Sequence, residues 1–158
     1  MIFVTLGSQK FQFNRLLMEI DKIVSEKKIN EKIFAQIGYS DYLPVNYEYK
    51  KFLDREEFGK KMDEADVVIT HGGTGAIINA VKRGKKVIAV PRMAKYGEHV
   101  DDHQLQIVDQ FENLNFICGC KDIKKLNRAL TIVNETSYAT YVSTTGQMIN
   151  SIKKFIEE

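Results

Sequence analysis

Three glycines stand close together in the middle of the chain, in the string His-Gly-Gly-Thr-Gly at residues 71–75. Glycine lets the backbone turn sharply and lets another group approach its N–H groups closely. The four apolar or β-branched residues before the string predict a strand buried on both faces. The string itself predicts the start of a helix, with Thr74 as the N-cap. Because a helix N-terminus carries unpaired N–H groups and a partial positive charge, this pattern favours an anion site, most typically for a phosphate. A tight turn that binds no ligand is the alternative.

Two further groups of residues have side chains that can bind metals. His99 and His103 are four residues apart, with Asp102 between them, and would share one face of a helix. The His-Glu-x-x-His motif of zinc proteases is not met, so we predict no metal site here, and the acids could instead cap a helix. Cys118 and Cys120 would share one face of a strand. Two thiols are too few for zinc, and we expect both to be reduced.

The bulk composition predicts one globular domain. The chain has 158 residues, is 44% hydrophobic and 28% charged, and its net charge of +2 is spread along its length. This distribution argues against a basic arm that would bind nucleic acid. The first apolar run is too short for a signal peptide, and no run reaches the roughly 20 residues of a transmembrane helix. We expect a single domain over residues 1–158, located in the cytoplasm.

Apolar runs and helical spacings alternate along the chain, which predicts an α/β fold. Predicted strands lie at residues 2–6, 32–37, 45–53, 67–70, 86–90 and 116–118. Predicted helices lie at 13–24, 54–65, 75–83, 104–111 and 123–133, and a last helix carries Met148, Ile149, Ile152, Phe155 and Ile156. Such alternation is typical of a mostly parallel sheet covered on both faces. We therefore predict a doubly wound, Rossmann-like parallel sheet of about six strands, in the order 3-2-1-4-5-6.

This strand order would place the glycine string beside the loop that follows the first strand. Strands one and four are neighbours, and ligands of such sheets bind at the carboxyl ends of the strands where the order reverses. The two loops at that point contain Gly7, Ser8 and Gln9 and residues 71–75. Neither the Gly-x-Gly-x-x-Gly dinucleotide motif after the first strand nor a P-loop is present, which argues against NAD and ATP.

Three strings together resemble a known family. They are Thr-Leu-Gly-Ser-Gln at residues 5–9, the glycine string at 71–75, and Pro-Arg-Met-Ala-Lys-Tyr-Gly-Glu-His-Val-Asp-Asp-His-Gln at 91–104. The chain resembles the C-terminal half of family 28 glycosyltransferases, which is one half of a glycosyltransferase B fold. It is most similar to soluble subunits of two-component bacterial capsule and exopolysaccharide glycosyltransferases, and to the catalytic subunit of the eukaryotic dolichol-linked N-acetylglucosaminyltransferase. The resemblance covers nearly the whole chain.

The resemblance implies a UDP-sugar donor whose diphosphate lies at the glycine string. Backbone N–H groups of residues 73–75 would meet the diphosphate, and Ser8 would approach it from the first loop. Arg92 or Lys95 would add a cation there. Leu53 would offer its backbone to the uracil. The implied donor-binding residues are, in full, Gly7, Ser8, Gln9, Leu53, His71, Gly72, Gly73, Thr74, Gly75, Asn79, Arg92, Asp102, His103 and Gln104.

The resemblance also assigns the sugar end of the donor. Gln104, and with it Asp102 and His103, would contact the donor sugar. His71 would orient the glycine turn, or be a partly buried histidine satisfied by the backbone. Asn79 departs from the family pattern, in which a glutamate at this position binds the ribose hydroxyls. An amide can still bond a hydroxyl, but it lacks the charge-assisted component.

The implied activity is inverting sugar transfer from a UDP-sugar to a lipid-linked saccharide acceptor in capsule or exopolysaccharide biosynthesis. No metal cofactor is expected, because preorganised N–H groups can stabilise the leaving diphosphate. The general base and the acceptor site would come from a membrane-anchored partner that recruits the chain to the inner face of the plasma membrane. Ile152 and Phe155 would dock on that partner or pack on the chain's own sheet. The alternatives are a non-catalytic UDP-sugar sensor and a sugar-nucleotide epimerase, for which 158 residues are too few.

Overall fold

The computed structural model describes residues 1–142, in which helices cover both faces of one parallel sheet. The predicted last helix, from Met148 to Ile156, lies outside the described residues. The strands are β1 (Ile2–Thr5), β2 (Ile33–Gln36), β3 (Glu48–Lys50), β4 (Val67–His71), β5 (Lys86–Val90) and β6 (Cys118–Gly119). The helices are α1 (Asn14–Ser25), α2 (Arg55–Glu64), α3 (Thr74–Lys82), α4 (His103–Asn113) and α5 (Leu126–Glu135), with short 3-10 turns at Ala94–Tyr96 and Ile123–Lys125. Within residues 1–142, none of these helices has the length and apolar character needed to cross a membrane.

The sheet confirms the predicted strand order, β3-β2-β1-β4-β5-β6. Every neighbouring pair is parallel, and β1 lies between β2 and β4, with Thr5 beside both Gln36 and Thr70. The strand order reverses between β1 and β4, so the loops that follow these two strands meet at one edge of the sheet. The glycine string therefore lies at the switch point, as its position after a buried strand predicts.

Alternate residues of the central strands bury into two separate cores. Ile2 and Val4 of β1 point to the side covered by α1 and α5, whereas Phe3 points to the side covered by α2, α3 and α4. This alternation follows from the two-residue period of a strand, and burial on both faces explains the continuous apolar runs. The two cores hold the sheet between helices and leave its carboxyl edge to the loops.

The third strand begins later than predicted because a buried carboxylate binds the chain before it. Asp21 of α1 is 5% exposed and accepts hydrogen bonds from the Tyr42 hydroxyl at 2.6 Å and from the backbone N–H groups of Val45 at 2.8 Å and Asn46 at 2.9 Å. These N–H groups are therefore not available for the sheet, and β3 begins only at Glu48. Asp21 and α1 thus fix the loop that leads into the edge strand.

Candidate anion-binding site at the switch point

The N-terminus of α3 presents unpaired backbone N–H groups at the carboxyl edge of the sheet. The N-cap is Gly73, and Thr74 is the first helical residue, so the predicted N-cap at Thr74 is wrong. The first backbone bond of the helix runs from Ile77 N–H to the Gly73 carbonyl at 3.1 Å, which leaves the N–H groups of residues 74–76 without helical partners. No side chain among the described residues caps them. The helix end can therefore bind an anion.

Two of the three glycines in the string are needed for packing within the chain. A Cβ on Gly73 would lie 2.2 Å from Cε1 of His71, and a Cβ on Gly72 would lie 2.8 Å from Cβ of Gln104. A Cβ on Gly75 would meet nothing within 4 Å. Gly72 and Gly73 thus allow the side chains of Gln104 and His71 to approach the backbone closely. Of the three glycines, Gly75 alone has open space beside it among the described residues, and a ligand could occupy that space.

His71 lies beneath the two loops of the switch point. Its side chain is 6% exposed, and a Cβ on Gly7 of the first loop would lie only 2.6 Å from Nε2 of the imidazole. This Nε2 has no hydrogen-bond partner among the described residues, yet it is not fully buried, so it keeps access to the surface between the loops. Burial, and then the nearby Arg92 guanidinium, lower the pKa of His71 to about 3, so the imidazole is neutral at pH 7.

Gln104 connects the glycine string to the next strand. Its side chain is 4% exposed, and its Oε1 accepts the backbone N–H groups of Gly72 and Arg92, each at 3.0 Å. Its Nε2 lies 3.1 Å from Nδ1 of His71. One amide thus joins the ends of β4 and β5 to the start of α4. The contact between Gln104 and a donor sugar stays a prediction, but the amide oxygen and one amide proton already have partners inside the protein.

Arg92 lies buried against the first loop, and its role as a diphosphate-binding cation stays a prediction. The side chain is 1% exposed and donates from Nη2 to the Leu6 carbonyl at 2.5 Å and from Nη1 to the carbonyls of Phe11 and Gln12 at 3.0 and 3.1 Å. Burial lowers the pKa of Arg92 to about 10, although the negative charge of Glu98 acts to raise it. Arg92 is therefore still a cation at pH 7. In this structure, the Arg92 guanidinium holds the loop that follows β1.

Glu98 is a buried acid in the same long loop, and it was not among the predicted site residues. It is 0% exposed, pairs with Arg15 through both carboxylate oxygens at 2.9 and 3.0 Å, and accepts the Met93 N–H at 3.0 Å. Its place inside the string at 91–104 is the only signal that could have marked it. Together with Arg92, it fastens the loop after β5 to the loop after β1 and to α1.

The remaining residues of the first loop and of the start of α4 are exposed. Ser8 and Gln9 lie on the surface after Gly7, whose φ of +74° requires glycine. Asp102 accepts the Ala94 N–H at 2.9 Å, and His103 is the exposed first residue of α4. Their predicted donor contacts are untested.

The predicted nucleoside contacts lie on two other elements. Leu53 is half-buried against the core under α2 and α3, and its backbone makes no hydrogen bond to another described residue. Asn79 of α3 accepts a hydrogen bond from Nε of Arg83 at 3.1 Å, and Arg83 also pairs with Asp63 at 2.7 Å. The amide that replaces the family glutamate thus already has a partner on its own helix.

The histidine pair interacts with an acid instead of forming a metal cluster. Nδ1 of His99 lies 3.2 Å and Nδ1 of His103 lies 3.8 Å from the carboxylate of Asp101, not from Asp102. Over residues 1–142, no three His, Cys, Asp or Glu side chains are grouped so that they could hold a metal ion. Cys118 and Cys120 are buried free thiols, and burial raises the pKa of each.

Comparison with known proteins identifies similar chains. Residues 1–158 match the family described as the glycosyltransferase family 28 C-terminal domain. The chain is 28% identical over 99 residues to the UDP-N-acetylglucosamine transferase subunit ALG13 of Candida albicans, and 25% identical over 144 residues to the protein of the same name from Homo sapiens. These matches cover 63% and 84% of this chain. They cover only 32% and 12% of the two relatives, so the chain spans a third or less of their length.

Solved structures share the fold at lower identity. The solution structure of ALG13 superposes with a TM-score of 0.67 at 19% identity, over 99% of this chain and 96% of that chain. MurG from Acinetobacter baumannii superposes with a TM-score of 0.59 at 17% identity, over 96% of this chain and 49% of that chain. At these identities the likeness shows a shared fold, that of one half of a glycosyltransferase.

Proposed function

The chain belongs to the glycosyltransferase family 28 C-terminal domains, and from this premise we propose that it binds the diphosphate of a UDP-sugar at the switch point. It then acts as the donor-binding subunit of a two-component glycosyltransferase. The observation that carries the proposal is the uncapped N-terminus of α3 beside the unpaired Nε2 of His71. Both features offer hydrogen-bond donors to an anion at one point of the sheet edge, and the open space beside Gly75 leaves room for it.

These donors fit the leaving group of a glycosyl transfer. Negative charge grows on the diphosphate as the sugar departs, and fixed N–H groups stabilise that charge without having to reorient. The neutral imidazole of His71 adds a donor without a charge that would need a counterion. No metal ion is required by this mechanism, and the predicted absence of a cofactor stays a prediction.

The nucleoside end of the donor extends from the diphosphate towards Leu53 and Asn79. The unpaired backbone of Leu53 supports a contact with uracil, because a pyrimidine edge and a free backbone can exchange hydrogen bonds. Asn79 binds the ribose less strongly than a glutamate would, since it is an amide and already accepts from Arg83. The sugar itself lies towards the start of α4, near Asp102 and His103. The names of the two ALG13 relatives support N-acetylglucosamine as the sugar to test first.

The acceptor half of the reaction lies on another chain. We assign the general base and the site for a lipid-linked saccharide to a membrane-anchored partner, which also brings this subunit to the membrane. The name of the ALG13 relatives, a transferase subunit, supports an assembly of this kind. The capsular or exopolysaccharide context rests on the string at residues 91–104 alone.

One observation favours a second candidate, a UDP-sugar sensor without catalytic activity. Residue 79 is an asparagine where the family uses a glutamate at the ribose, and its amide oxygen already accepts from Arg83. Both features weaken donor binding in a way that a sensor could tolerate. Co-expression with a candidate membrane subunit and an assay with labelled UDP-sugars separates the two. Transfer by the pair supports the subunit, whereas tight UDP binding with no transfer by any pair supports the sensor.

Titration calorimetry with UDP tests the site directly, and a matched pair of variants locates it. Gly75→Val places a side chain in the open space at the α3 N-terminus. Gly59→Val makes the same change on α2, where a Cβ also meets nothing within 4 Å. We expect Gly75→Val to weaken UDP binding by at least about tenfold, which corresponds to roughly 1.4 kcal/mol, and Gly59→Val to leave it unchanged. No UDP binding by the wild-type chain, alone or with its partner, would contradict the proposal.

A further inference from the structure

The orientation of the Gln104 amide is set by its backbone partners. The N–H groups of Gly72 and Arg92 are both donors, and both lie 3.0 Å from the same side-chain atom, Oε1. Only an oxygen can accept two such bonds, so the nitrogen of the amide must be the atom that faces His71. Exchange of the two atoms would place an NH₂ group against two N–H groups in a buried site.

This orientation determines which nitrogen of His71 carries the proton. The Gln104 NH₂ group lies 3.1 Å from Nδ1 and can only donate, so Nδ1 must accept and carries no hydrogen. A neutral imidazole has one proton, which must then be on Nε2. Nε2 is the unpaired atom that lies against Gly7 and Gly73, at the surface between the two loops.

We propose that Gln104 is a positioning residue that keeps His71 in the Nε2–H tautomer, with this N–H directed at the anion bound between the glycine string and the first loop. The assignment rests on the proposed UDP site and extends it. It also gives Gln104 a role that differs from the predicted contact with the donor sugar. The other tautomer would point a lone pair at the diphosphate and repel it.

The charged groups around His71 favour the same state. Arg92 and His99, both in the loop after β5, oppose a positive charge on the imidazole, and no carboxylate within residues 1–142 is among the groups that shift the pKa of His71. The Gln104 NH₂ group faces Nδ1 and can only donate, so a proton on Nδ1 would have no hydrogen-bond acceptor there. His71 is therefore a donor whose protonation does not change between about pH 5 and pH 9, and the same holds for its contact with the anion.

Imidazole ¹⁵N chemical shifts of the wild-type chain test the tautomer without any ligand. The expected result is a protonated Nε2 and a bare Nδ1 at pH 7, with no titration of His71 down to about pH 5. A proton on Nδ1, or a His71 that titrates near pH 6.5, would overturn the proposal. This measurement is independent of the proposed function, because it does not require UDP to bind.

A charge-matched pair of variants tests the consequence for binding. In Gln104→Glu, one carboxylate oxygen can still accept from Gly72 and Arg92, but the other accepts from His71 and moves the neutral tautomer to Nδ1–H. Gln106→Glu adds the same charge at an exposed position two residues along α4. At pH 9, we expect Gln104→Glu to bind UDP roughly ten- to a hundredfold more weakly than wild type, as for a lost hydrogen bond to a charged group.

The imidazole ¹⁵N shifts of the two variants at pH 9 separate this proposal from a general loss of structure. Gln104→Glu should carry the His71 proton on Nδ1, whereas Gln106→Glu should keep it on Nε2, as in wild type. Equal affinity of Gln104→Glu and wild type at pH 9 would refute the positioning role while leaving the UDP site intact. If Gln104→Glu does not fold, the wild-type ¹⁵N shifts decide the question.

Discussion

Alanine at Gly73 should destabilise the protein through a single contact. Gly73 has φ −78° and ψ 132°, a conformation open to any residue, so the change introduces no backbone strain. The new methyl group would, however, lie 2.2 Å from Cε1, 2.8 Å from Nε2 and 3.0 Å from Nδ1 of His71. The imidazole cannot retreat easily, because Gly7 lies against its Nε2 and Gln104 bonds its Nδ1.

The size of the effect follows from the distance that must be restored. The imidazole or the helix end has to move by about 1 Å to bring the contact from 2.2 Å to the 3.4 Å of an ordinary contact. Overpacking of a buried site by one methyl group typically costs about 1–3 kcal/mol. In a domain of this size, such a loss lowers the melting temperature by roughly 2–12 °C.

A double-mutant cycle with His71→Ala isolates this contact. The free energies of unfolding in urea are measured for wild type, Gly73→Ala, His71→Ala and the double variant. We expect Gly73→Ala to cost about 1–3 kcal/mol in the wild-type background and less than about 0.5 kcal/mol when the imidazole is absent. Gly75→Ala is the control, because its methyl group enters open space on a helix and should stabilise by up to about 1 kcal/mol. An equal cost of Gly73→Ala in both backgrounds would refute the reasoning.

Two other outcomes follow from buried polar groups. The pKa of His71 is about 6.5 in the unfolded chain but about 3 in the folded protein, so its contribution to stability is complete above pH 6.5 and falls as the pH drops. At pH 5, we expect the free energy of unfolding in urea to be lower by roughly 2 kcal/mol. This loss should be absent in His71→Gln. Asp21→Asn keeps one acceptor oxygen, so its NH₂ group would face either the Asn46 N–H or the Val45 N–H and the Tyr42 hydroxyl. The change should cost roughly 1–3 kcal/mol in the same assay, and a cost below about 0.5 kcal/mol would show that the carboxylate is not needed.

The sequence was sufficient to predict the sheet and the position of the glycine string. Buried strands read as continuous apolar runs, so β1, β4 and β5 stand out and fix where the strand order reverses. The limits of the edge strand β3 differ from the predicted ones, because its start depends on a distant side chain. Asp21 shortens β3 at its start by binding the backbone 24 and 25 residues away, which no local pattern indicates.

The roles of individual site residues depended on long-range packing. The glycines were correctly located, but the groups that approach them are His71 and Gln104, and the latter is 32 residues from Gly72. Arg92 was expected beside the diphosphate because the family resemblance implied a cation from this loop. Its burial depends on carbonyl groups of the first loop, 80 to 86 residues earlier, and these partners cannot be recognised from the sequence around Arg92.

The span of the Arg92 and Gln104 contacts has a consequence for the biosynthesis of the protein. A nascent chain that has emerged as far as β5 already contains the glycine string and the first loop, but it lacks the guanidinium that holds that loop and the amide that holds His71. The strands β1 and β4 can pair at that stage, whereas the switch-point loops stay unsupported until residue 104 leaves the ribosome. Under the proposed function, competence to bind a nucleotide should therefore arise only after residue 104 has left the ribosome, when the first five strands have already been synthesised.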